Sequence, residues 1–149
     1  MKKIGEGILM VVLVTISSLM AFGSVGNSYL GAWQPPTIYY SNYWFTKTAS
    51  FTGPSGATIT TLQWQLLWNL NNGSYGIPSG LVMKICDAAG HCQSFTNPSW
   101  AGSTSYFQGE SATQVFTFYF EIPTAQTVSY SPPYIGYAAN SSLLENYQY

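Results

Sequence analysis

The chain has 149 residues, of which 46% are hydrophobic, 17% aromatic and only 6% charged, and its formal net charge is −1. That length suits one domain, and so little positive charge excludes binding to duplex nucleic acid. One histidine and two cysteines leave too few groups for most metal centres and nucleophilic triads.

In chain order, Lys2 and Lys3 precede an apolar run from Ile8 to Phe22. As a helix that run of about 15 residues covers about 22 Å, short of a hydrocarbon core about 30 Å thick. Ala21-Phe22-Gly23 and Ser24-Val25-Gly26 both match the small-x-small site of a signal peptidase. Residues 1–26 therefore read as a cleaved signal peptide and 27–149 as the mature domain, exported to the periplasm and touching membrane only through that leader. The remaining charges are Lys47 and Lys84 against Asp87, Glu110, Glu121 and Glu145. Solubility must come from hydroxyl and amide side chains.

The mature domain reads as all-β, a single antiparallel sandwich or barrel. From Thr60 to Leu70 the even positions Leu62, Trp64, Leu66, Trp68 and Leu70 share one apolar face. Phe116, Phe118, Phe120 and Ile122 do the same in a strand from Val115 to Ile122. Gly-, Pro- and Asn-rich turns set off an aromatic stretch from Ile38 to Phe51 and a strand from Leu81 to Cys86. Further strands are expected over Gln93–Thr96, Ser105–Gln108 and Leu143–Tyr149, with Pro132-Pro133 forbidding regular pairing before the last.

Cys86 and Cys92 flank Asp87-Ala88-Ala89-Gly90-His91 between strand-like residues, the spacing of two cysteines facing each other across a hairpin. In an exported protein they should form a disulfide. Redox chemistry would favour Cys-x-x-Cys, and zinc would need ligands that His91 alone cannot supply. His91 and Asp87 are local neighbours in a turn, and nothing in the sequence places two of the four carboxylates together, so no catalytic, cofactor or metal site is assigned. More aromatic side chains are present than a core needs. Trp33, Trp44 and Trp100 are the candidate partner contacts, because tryptophan combines an apolar face with a polar handle.

Pro78-Ser79-Gly80-Leu81-Val82-Met83-Lys84-Ile85-Cys86, the return through Cys92, and Phe118-Tyr119-Phe120-Glu121-Ile122-Pro123 occur in this order in FlhE-type flagellar proteins. Gly31-Ala32-Trp33-Gln34 and Asn146-Tyr147 also resemble that family's ends. The resemblance spans about residues 31–149, with little to match between Pro35 and Gly56. It implies a small, non-enzymatic periplasmic accessory protein of the flagellar system that binds a flagellar or export-apparatus protein, in a chaperone-like role or in limiting proton leakage through the export gate. The residues alone leave two other readings open: an extracytoplasmic carbohydrate-binding sandwich with a tryptophan platform, and a fimbrial or adhesin-like subunit.

Overall fold

A computed structural model describes residues 24–149, so residues 1–23 of the expected signal peptide lie outside the described residues. The described chain is all-β, with strands β1 (Val25–Gly31), β2 (Ile38–Tyr40), β3 (Phe45–Thr52), β4 (Thr58–Gln65), β5 (Trp68–Asn69), β6 (Tyr75–Gly76), β7 (Val82–Cys86), β8 (Cys92–Thr96), β9 (Ala101–Thr104), β10 (Thr113–Glu121), β11 (Ser129–Gly136) and β12 (Ser142–Gln148). They form three antiparallel four-stranded sheets, ordered β1-β12-β4-β9, β3-β10-β7-β8 and β2-β11-β5-β6. The sheets do not close into a barrel.

Alternation builds the core directly. Phe116, Phe118 and Phe120 of β10 are all fully buried, and each such side chain contributes roughly 1.5–3 kcal/mol through its removal from water. The first two sheets face each other through Trp64 of β4, whose ring packs edge-on against Phe95 of β8 at 5.0 Å. The third sheet adds Trp68, fully buried and 5.1 Å from Phe120. Its indole N–H donates to the carbonyl of Pro36.

The expected strand from Thr60 to Leu70 is two strands in two sheets. The β4–β12 ladder runs in register from Ser142↔Gln65 to Asn146↔Thr61, then resumes at Tyr147↔Ile59, leaving Thr60 as a bulge. The extra residue inverts the side-chain alternation, so Ile59 joins Leu62 and Trp64 in the core. Beyond Gln65 the chain crosses to the third sheet: the Leu66 N–H still donates to the Trp100 carbonyl just before β9, whereas the Leu67 carbonyl accepts from the Tyr137 N–H just after β11. Ser105–Gln108, expected as a strand, is a turn closed by the Gln108 N–H on the Ser105 carbonyl; the strand precedes it at Ala101–Thr104. Around Pro132-Pro133, β11 pairs with β2 only at Ser129↔Tyr40 and Tyr134↔Ile38, with a register shift between. Proline has no N–H to give the ladder.

Val25 and Gly26, assigned from sequence to the leader, belong to β1, where they pair with Gln148 and Tyr147. A Cβ at Gly26 would collide with the Tyr147 ring.

Candidate functional site

Outer-face side chains of the first sheet follow from its register. Tyr29, Leu144 and Gln63 form one row across β1, β12 and β4. Gly31, Ser142, Gln65 and Ala101 form the next, reaching β9. The Tyr29 ring leans over Gly31 on these rows, where a Cβ would crowd it, while on the inward face the Trp64 indole presses against its cross-strand partner Gly102, where a side chain has no room. The Trp64 N–H donates to the Ser99 carbonyl at 3.1 Å, which steadies the turn that presents Trp100. The result is a groove of three adjoining cavities of about 360, 440 and 420 Å³. The first two share Tyr29, Gln65 and Ser142; the last two share Leu67 and Trp100. No charged residue lines any of them.

The second sheet's outer face is different. Lys84 of β7 places its ammonium 4.8 Å from the Trp44 ring centre and 4.6 Å from that of Tyr119, a geometry in which the ring faces attract the cation. Tyr40, Tyr43 and Phe45 form a separate cluster with ring centres 5.1–5.4 Å apart, and Phe45, paired with Phe120, lies on the core side of the sheet. Of the three tryptophans singled out as partner contacts, Trp44 and Trp100 are exposed, at 36% and 52%. Trp33 is in the core at 8% exposure. Its ring lies 5.0 Å from Phe118, and its N–H donates to the Thr48 carbonyl. The structure therefore brings Trp44 and Trp100 to two separate faces and keeps Trp33 from both.

At the β7–β8 turn, Cys86 and Cys92 are a cross-strand pair joined by the expected disulfide, with Cα atoms 4.1 Å apart. The loop they close holds a local network. Asp87 is buried, and its two oxygens accept from the His91 backbone N–H and approach His91 Nδ1, each at 2.8 Å. Burial works to raise the Asp87 carboxyl, but the hydrogen bonds from the His91 ring and backbone outweigh it and hold the group below its ordinary range. The same bond and charge push His91 up. Glu110 joins from the β9–β10 connection, accepting from the Gln114 amide at 3.0 Å. Burial, helped by the neighbouring Asp87, pushes Glu110 up. Two of the four carboxylates do therefore meet, contrary to the sequence reading; the contact crosses 23 positions of chain and leaves no local signal. Ligand atoms of Asp87, His91 and Glu110 lie within 4.8 Å of one another. A cation taking His91 Nδ1 there would have to displace its bond to Asp87.

Glu145 is the other acid that sequence reading passed over. It sits on the inward face of β12 with Leu143 and Tyr147, opposite Ser28 on one side and Leu62 on the other. It is fully buried, and neither carboxylate oxygen has a hydrogen-bond partner. Burial alone pushes its pKa up to about 7. The signal was present: a glutamate two residues from Leu143 and two from Tyr147 shares their side of a strand.

No known family's sequence pattern matches the chain, and no curated protein matches it in sequence. Solved structures do match in fold. A crystal structure of FlhE superimposes with a TM-score of 0.63 at 18% identity, covering 86% of this chain and 99% of that one. A serine protease of Aeromonas sobria matches at 0.56 with 12% identity, over 83% of this chain but 27% of the protease. A chain from the complex of that protease with the chaperone ORF2 gives 0.50 at 11% identity, again with 27% of the larger chain covered. The fold is thus similar to a whole FlhE and to one part of a larger protease.

Proposed function

We propose that this protein is a non-enzymatic, extracytoplasmic accessory protein of the flagellar system that acts by binding a protein partner. The observation that carries the reading is the fold likeness to FlhE, which takes in 99% of that chain and agrees with the resemblance around the cysteine hairpin and the Phe118–Pro123 strand. The likeness to the protease covers only a fraction of the larger chain. The Cys86–Cys92 disulfide fits an oxidising compartment outside the cytoplasm, consistent with the expected periplasmic location. Cleavage after Gly23 would leave β1 whole, whereas cleavage after Gly26 would remove two of its paired residues.

The partner surface we favour is the second sheet's outer face, where Trp44 and Tyr119 stand edge-to-face around the Lys84 ammonium. Aromatic anchors ringed by neutral polar groups are the usual centres of protein interfaces. Deletion of the gene should alter motility or flagellar placement, and wild-type protein should restore it while Trp44→Ala restores it poorly. A deletion strain with unchanged motility and normally placed flagella would overturn the flagellar reading. Equal rescue by Trp44→Ala would overturn the choice of face. Chaperone-like action and control of proton leakage separate in the same strain, since only the second predicts a fall in cytoplasmic pH when the gene is lost.

A further inference from the structure

We propose that the groove on the outer face of the first sheet binds a neutral oligosaccharide, with Trp100 and Tyr29 stacking on sugar faces and Gln63, Gln65 and Asn140 bonding to hydroxyls. This goes beyond the protein-binding reading and does not depend on it, since the groove lies on a different sheet from the Trp44 surface.

The lining chooses the ligand. Its polar side chains are amides and the hydroxyls of Ser141, Ser142 and Tyr29; there is neither a cation to hold phosphate or carboxylate nor an acid to hold an amine. A carboxamide offers two donors and a two-lone-pair acceptor on one planar end, which matches the paired donors and acceptors of neighbouring sugar hydroxyls. Gln63 and Gln65 are two apart on β4, so both amides project from the same face and both are exposed. Asn140 enters from the connection before β12 and is likewise exposed.

Aromatic rings supply the apolar half of the site. Tyr29 is 64% exposed and Trp100 is 52% exposed, so each keeps a ring face free for the C–H groups of a pyranose. They wall the same middle cavity, and Trp100 also borders the next one, with Tyr75, Ile77 and Pro98. From Gln63 to Leu67 the groove follows about 13 Å of chain, at about 3.3 Å per residue. That length takes an oligosaccharide rather than a single ring, and the cavities fall within the roughly 300–1,000 Å³ of small-molecule sites.

An extended peptide fits less well. Peptides that add to sheets pair with an unused strand edge, but the floor here belongs to β12 and β4, which have strands bonded on both sides. Backbone pairing is unavailable across such a face. An anionic chain, nucleic acid included, would meet no counter-charge.

The test is calorimetric titration of the purified protein with cellotetraose, maltotetraose and tetra-N-acetylchitotetraose, alongside tetragalacturonate and an uncharged octapeptide. At least one neutral tetrasaccharide should bind saturably. Trp100→Ala and Gln65→Ala should each weaken that binding tenfold or more without moving the thermal midpoint, while Trp44→Ala on the other face leaves it unchanged. Tetragalacturonate should bind at least tenfold more weakly than the best neutral sugar. The proposal fails if no neutral tetrasaccharide saturates at millimolar concentration, if both groove variants bind like wild type, or if the octapeptide is the ligand that saturates. Because Trp100 and Gln65 are exposed, their loss leaves the core intact; a fall in midpoint in both variants would also count against the assignment.

Discussion

Two buried acids meet burial in opposite ways. Asp87, at the hairpin end of the second sheet, spends both oxygens on one histidine and stays ionised below its ordinary pKa range. Glu145, in the middle of the first sheet, has no partner at all and is held near 7. The hairpin keeps a charge because its disulfide-closed loop folds His91, four residues on, back onto Asp87. The central strand keeps a neutral acid, because alternation forces the side chain inward between Ser28 and Leu62, where nothing charged waits. A carboxyl therefore becomes a local anchor in one region and a standing cost at neutral pH in the other.

Several substitutions would break or sharpen that contrast. The largest effect belongs to the core both regions rest on: Phe118→Ala should lower stability by about 3–5 kcal/mol, measured by chemical unfolding, and Trp64→Ala should fall in the same range. A loss under 1 kcal/mol would mean the phenylalanine ladder is not the core. Next is Glu145. A carboxyl at about 7 in the fold against 4.5 in the unfolded chain makes the Glu145 contribution to stability greatest below pH 4.5. It should then decline by about 3 kcal/mol as pH rises to 7, and level off above. Glu145→Gln should flatten that slope between pH 4.5 and 7, and an unaltered slope would assign the pH dependence elsewhere.

At the hairpin the effects should be smaller. Cys92→Ser, or reductant, should cost about 2 kcal/mol through the loss of a short closed loop; identical melting with and without reductant would show that the bond contributes nothing. His91→Ala should act least, since the ring lies largely in solvent. The raised His91 pKa means its contribution is complete below 6.5 and fades as pH climbs through the folded value. The variant should therefore be less stable than wild type near pH 5 and converge on it toward pH 9, read by melting curves across that range.

Much of the architecture was legible because alternation is a one-dimensional signal. Phe116, Phe118 and Phe120 announce β10 and its buried face, and the cysteine spacing announces the β7–β8 hairpin. The Thr60 bulge and the crossing at Leu66 were not, because they depend on what lies alongside: β12 for the bulge, and Trp100 and Tyr137 for the crossing. The aromatic surplus was visible too, but not its division: Trp33 looks like Trp44 and Trp100 in sequence, and only the position of Phe118 beneath it decides that it is buried. The groove escaped notice for the same reason. Gln63 and Gln65 read as the wet side of a strand, and their meeting with Tyr29, Ser142 and Trp100 is a product of register.

One pairing described above governs when the molecule can come into being. β1 is bonded to β12 along its whole length, from Val25↔Gln148 to Gly31↔Ser142, so the earliest described strand has no neighbour until the final one arrives. In chain order the leading strand must wait, unpaired, for the tail. Such long-range closure slows folding, and the first sheet can assemble only after the tail has followed.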